Sequence, residues 1–388
     1  MQLQPFPYHL AVAGQLQRLR PDQWQWFAAE HLGARYQAAT AAALDADAVP
    51  LKPQGRDARA WALGEAARDR LGLAAPLQLH RLRDDNAAAG ARLVPMPSRI
   101  VVVLSGRALE ALGDDAELRS CLGREIARFH LFTTHDGDVH AADRMLHWMA
   151  SRDDAVPEVF ETARRFAVLT EAACDIGGLL AGGDPAAAVR ALFRTTPGAR
   201  AEHADQHIAV AREKGPLSKI ADRYASNELS ARAVALAQAS PDAVPALAEA
   251  LAGLVPDTVE LGALDLPGKE RLAALTRTVL DRVLSDPAAN AAGLLPRARA
   301  FFPDYAVPPS PRRLAAPEPT LSSSVSDYLA YLLLDLSAPE TGARFTSTIA
   351  AAATAADELG IGGRFRDLAR QELRGRRGLQ AGLTRRAA

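Results

Sequence analysis

The run Ile100-Val101-Val102-Val103-Leu104 constrains this chain more than any other stretch, because β-branched residues in succession favour a pleated strand over a helix. Pro97 and Gly106 bound it. Upstream, 77–83 (Leu-Gln-Leu-His-Arg-Leu-Arg) alternates apolar and polar, and 86–90 is turn-like. These stretches predict a small antiparallel sheet between 77 and 104. Almost everything else carries helical spacing and much alanine, so the fold class expected is α+β, mainly helical.

The 388 residues, 48% hydrophobic and 23% charged, suffice for two or three packed domains and exclude a disordered chain. A formal net charge of -1 gives no general attraction for nucleic acid or an anionic membrane. Lysine is rare while arginine and alanine abound, a bias that gives abundant arginine little functional weight. No basic segment followed by an apolar core opens the chain, and no window of about 18 apolar residues follows, so a cytoplasmic protein without a membrane span is expected. Cys121 and Cys174 are too few for a disulfide scaffold.

Four segments follow from the pattern. A helical N-terminal segment covers 1–72, and the sheet with the helices after it covers 73–250. A further helical segment with a proline-rich linker at 303–319 covers 251–317, and a small helical domain covers 318–388. Helices are predicted over 107–112, 117–132, 141–150, 156–180, 185–193, 217–238, 241–254, 269–284, 325–336, 343–359 and 364–374, and 135–140 reads as an exposed loop.

The segment Gly123-Arg124-Glu125-Ile126-Ala127-Arg128 stands where a zinc-peptidase helix would have His-Glu-x-x-His, with two imidazoles one turn apart on the metal and a glutamate that activates water. Other motifs keep the same order. Asp85-Asn86-Ala87-Ala88 resembles an Asn-Ala segment entering an edge strand. The 100–104 strand followed by Ser105-Gly106 resembles a strand and Ser-Gly turn, and Asp114 to Leu118 resembles an acidic helix start. Glu171-Ala-Ala-Cys-Asp175 resembles a Glu-x-x-x-Asp element. Together, over roughly 77–238, they resemble the gluzincin metallopeptidases of the CAAX-prenyl-endopeptidase and HtpX type in their soluble bacterial form. The resemblance implies a zincin-like core followed by extra C-terminal helices. It makes Glu125 the vestigial general base, Glu171 the third metal ligand and Asp175 a carboxylate that fixes the ligands. It also places peptide binding at Asn86, Ala87 and Ala88. Asn227 and Arg232 resemble a late His-Pro…Arg element whose histidine is also missing, and the block 328–361 resembles the helical TerB-type modules of tellurite-resistance proteins, a pattern that generic helical packing also gives.

Arg124 and Arg128 occupy the positions of the first two ligands, and a guanidinium has no lone pair for a metal. Zinc, the family's cofactor, is therefore expected to be lost, and no cofactor is assigned. Two arginines facing Glu171 leave the same net charge as Zn²⁺ with one glutamate ligand, so the sequence predicts an ion-pair cluster in the metal's place. His130, His135, His140 and His147 lack the spacing of a relocated site, and His203 and His207 read as a solvated helix face. Cys121 and Cys174 fall one turn from Arg124 and Glu171, where small buried fillers are the usual outcome and a redox link is conceivable if the sulfurs are close. The function expected is an inactive metallopeptidase-like scaffold holding a peptide or protein in the former substrate cleft. The alternative is an active zinc endopeptidase with a rearranged site.

Overall fold

The computed structural model describes residues 3–30, 33–84, 88–105, 107–213, 228–240, 242–287, 289, 291–308, 314 and 321–384. The four segments read from the sequence fold into two compact units, Met1–Pro256 and Asp257–Ala388. The chain is mainly helical with one small mixed sheet.

In the first unit, helices α1 (Pro7–Leu19), α2 (Pro21–Glu30) and α3 (Ala34–Asp47) lead into strand β1 (Ala48–Pro50) and helix α4 (Ala58–Arg70). Strands β2 (Leu77–Leu82), β3 (Ala91–Val94) and β4 (Ile100–Leu104) complete a sheet of order β1-β2-β4-β3. The expected all-antiparallel sheet is corrected here: β2 and β4 are parallel, with Leu77 opposite Ile100, while β1 and β3 run antiparallel to their neighbours. Burial supplies the reason. Every residue of β4 is buried, with no polar alternation, so β4 takes an interior position between two strands. Strand β3 lies along the outer edge, next to β4.

Short α5 (Ala108–Ala111) precedes α6 (Asp115–Thr133), whose start is fixed by Asp114: its carboxylate accepts from the N–H groups of Ala116 (2.7 Å) and Glu117 (3.1 Å). From Glu117 to Phe132 nearly every residue of α6 is buried, so this helix is wrapped on all sides. Around it lie α4, the sheet, α7 (Asp138–Ala150), α8 (Pro157–Gly182) and α9 (Pro185–Thr195). The loop expected at 135–140 shrinks to a turn at His135–Gly137. There His135 and Asp136 take positive φ, and helix resumes at Asp138, burying His140. Helices α10 (His203–Glu213), α11 (Glu228–Gln238) and α12 (Val244–Ala252) finish the unit. The part of the expected 217–238 helix before Glu228, with Asn227, lies outside the described residues.

The second unit packs α13 (Leu266–Leu284), α14 (Ala291–Phe301), α15 (Ser323–Ser337), α16 (Gly342–Glu358), α17 (Gly362–Glu372) and α18 (Leu379–Thr384) around one apolar core. Tyr305 and Leu314, from the stretch expected to be a linker, are buried in that core. The Tyr305 hydroxyl donates to Asp281 Oδ1 at 2.8 Å, which satisfies the polar end of a fully buried ring. No helix among the described residues is long and apolar enough to cross a membrane.

Candidate functional site

The site begins with two helices that approach unusually closely. Helices α6 and α8 run antiparallel, and their contact is lined by residues with little or no side chain. A Cβ added at Gly123 would stand 2.2 Å from that of Ala181, and one at Gly177 would stand 2.1 Å from that of Ala127. Either would push the helices apart. The close crossing lets Arg124 and Arg128, one turn apart on α6, meet Glu171 and Asp175, one turn apart on α8.

At Glu171, Arg124 Nη2 donates to Oε2 at 2.5 Å and Arg128 Nη2 donates to Oε1 at 2.7 Å. Arg124 also pairs with Asp175 through its other terminal nitrogen. Arg232 closes the cluster from α11: its Nε donates to Asp175 Oδ2 at 2.5 Å, and its Nη2 lies 3.1 Å from Asp175 Oδ1 and 3.4 Å from Glu171 Oε2. Arg128 Nε donates to Glu125 Oε2 at 3.1 Å, and the same oxygen accepts the backbone N–H of Leu93, on edge strand β3, at 2.8 Å. Three guanidiniums thus face three carboxylates. The Asp175 side chain has no exposed surface, whereas that of Glu171 keeps 35% of its own.

Burial alone would raise the pKa of Glu171, but Arg128, Arg124 and Arg232 overcome it and hold the carboxyl far below its ordinary range. Burial also opposes the charge on Arg128, and the carboxylates of Glu125 and Glu171 offset this and raise it well above its usual value. Arg232 is shifted down, with burial the largest cause. Asp143 on α7 feels Arg128 and Glu171 too, yet burial outweighs the cations and raises it.

The ion-pair cluster expected from the sequence is therefore present, with Arg124, Arg128, Glu171, Asp175 and Glu125 together. Arg232, read only as part of a late motif, turns out to be its third cation. Asp143 was not singled out, and nothing in its sequence surroundings marks it. The small-residue stripes, Ser120, Gly123 and Ala127 on α6 with Gly177, Gly178, Ala181 and Gly182 on α8, were the legible signal for the close crossing. Asn86 and Ala87 lie outside the described residues, and Ala88 is exposed ahead of β3.

Other candidates disperse. His130 Nε2 contacts the Leu3 carbonyl oxygen (3.0 Å), His140 stacks on Phe132, and His135 and His147 are exposed. His207, read as part of a solvated face, instead bridges the His203 carbonyl (2.7 Å) and Ser230 Oγ (2.9 Å), joining α10 to α11. Cys121 and Cys174 are free and buried, and burial is the main force pushing both thiols up to about 12. At neutral pH both remain protonated and poorly nucleophilic.

The residues present do not fit a zinc ion. Both oxygens of Glu171 accept from guanidiniums, and positions 124 and 128, where the resemblance expects imidazoles, hold arginine. Among the described residues, no group of three or more His, Cys, Asp or Glu side chains is arranged to hold a metal. The chain matches no protein-family model, no curated protein and no solved structure.

Proposed function

We propose that the first unit is a zincin-like metallopeptidase fold that has exchanged its metal for an ion-pair cluster and serves as a binding scaffold for an extended peptide or protein segment. The observation that carries this reading is the capture of Glu171 by Arg124 and Arg128, the two positions that the motif order assigns to zinc-binding histidines. Three guanidiniums and three carboxylates cancel, so the interior tolerates the exchange without a divalent ion. The setting of the cluster also favours it. The helix that carries Arg124 and Arg128 lies against the sheet, next to edge strand β3, whose outward backbone groups are those an added strand would take. Peptide bond hydrolysis by this fold needs a metal-bound water that the arginines leave no ligands to hold.

Metal analysis of protein purified without chelator tests the reading. The expected result is zinc well below one equivalent and no peptidase activity. Stoichiometric zinc, with proteolysis abolished by Glu125→Gln, would overturn it. The double variant Arg124→His/Arg128→His tests the motif alignment from the other side, because it should take up one zinc that Glu171→Gln then removes.

A further inference from the structure

The outer edge of β3 carries a contact that charge balance does not require. The register sets Ala91 opposite Leu104 and Leu93 opposite Val102, and the Ser105 N–H donates to the Gly90 carbonyl at 2.9 Å. Bonded and non-bonded pairs alternate along an antiparallel ladder. The pair Arg92 and Val103 therefore exchanges hydrogen bonds, and the N–H groups of Ala91 and Leu93 point outward, away from β4. Such an outward N–H is what the carbonyl of an added strand would take. At Leu93 that place is filled by Glu125 Oε2 at 2.8 Å.

We propose that Glu125 is a latch on the β3 edge: its carboxylate stands in for a partner's backbone carbonyl, and a docking strand must displace it from Leu93. This rests on the strand-addition reading above and gives that site its regulation. The latch is tied to the ion cluster, because the same Glu125 oxygen accepts from Arg128, whose other arm holds Glu171. A displaced carboxylate keeps Arg128 as a partner, so opening does not strand a buried charge.

A hollow beside the same strand defines the partner. Arg92 and Val94 project to the sheet face opposite Leu93. There α3 leaves a space of about 260 Å³ lined by residues that include Ala43 and Leu44 of α3 and Arg92, Leu93, Val94 and Pro95 at the β3 edge. Alternate side chains of a strand added to β3 would point onto that face. The partner is therefore an extended segment with an aliphatic side chain over the hollow and its backbone carbonyl on Leu93.

A random heptapeptide pool displayed on phage, selected against the full chain and its Glu125→Ala variant, supplies the probe, and selected peptides are then titrated as synthetic ligands. Peptides are expected to bind Glu125→Ala about fivefold more tightly than the unaltered chain, the factor that one net hydrogen bond is worth. Ala43→Trp, at an exposed helix position, should abolish binding by filling the hollow. In the free proteins, the Leu93 amide should exchange with solvent faster in Glu125→Ala. Glu125→Gln keeps the volume while weakening the acceptor, so it should give the same ranking at smaller amplitude, and it serves if the alanine variant does not fold. Equal affinity for the unaltered and latch-free chains, or an unchanged Leu93 exchange rate, overturns the latch while leaving strand addition standing. If none of these proteins selects a peptide, both fall.

Discussion

Each unit buries arginine against carboxylate, and the two do it differently. In the second unit, Arg282 grips Glu358 through contacts of 3.1 to 3.2 Å, and Glu358 also accepts the Leu314 N–H at 2.9 Å. This contact staples α13 to α16 and to the chain at 314 beside a largely apolar core, and Arg282 makes a longer, local contact of 3.6 Å with Asp286. In the first unit, three arginines from two helices share three carboxylates; each arginine touches two of them, and Glu171 alone serves all three arginines. A staple can be exchanged for hydrophobic contact of equal volume. A shared network cannot be exchanged pair by pair, because Glu171 serves three arginines at once and removing it with any one of them leaves the other two short of a carboxylate.

The largest effect should come from Asp175. Its side chain has no exposed surface and it pairs with Arg124 and Arg232, so Asp175→Ala leaves three guanidiniums on two carboxylates and should cost about 3–5 kcal/mol in urea unfolding. A loss under about 1 kcal/mol would show that the cluster is no tighter than a surface network, and the contrast between the units would dissolve. In the second unit, Glu358→Leu alone should cost roughly 3 kcal/mol because Arg282 keeps only its longer contact with Asp286, at 3.6 Å. Adding Arg282→Met should bring stability back to within about 1 kcal/mol of the starting chain. If the double variant stays as damaged as the single one, the pair contributes more than a staple.

Much of this contrast was legible in the sequence where local rules decide. Asp114 and Pro157 mark the starts of α6 and α8, and Arg124 with Arg128 at one-turn spacing against a Glu-x-x-x-Asp segment gave the core of the cluster. What local rules do not fix was missed. The five apolar residues of β4 announce a strand without saying which strands will flank it, so the parallel β2–β4 pairing stayed hidden. The bond from Leu93 to Glu125 joins residues 32 positions apart through a strand register that composition does not encode. His207 at i+4 from His203 looked like a solvated face because its partner Ser230 sits on another helix.

The smallest effect, and the one that sharpens the comparison most, is the response to acid. The folded-state pKa of Glu171 lies below its ordinary 4.5, so its contribution to stability is complete above pH 4.5 and is lost as the pH falls below it. Asp143 has the opposite sign, since burial raises its pKa and its ionised form opposes folding as the pH climbs past its ordinary 3.8. Total acid stability mixes the two and assigns nothing. The difference between the unaltered chain and Glu171→Gln reports mainly on Glu171, because Asp143 is present in both and burial, the largest cause of its shift, is common to both. That difference, measured by urea unfolding, should be constant from pH 7 down to about pH 5 and then narrow steadily. A third of the Glu171 side chain is exposed, so solvent screening keeps the narrowing well short of the Asp175 effect. A difference that stays flat to the lowest pH reached before unfolding would mean that the arginines hold Glu171 by shape alone, and the electrostatic match between guanidinium pair and metal would lose its basis.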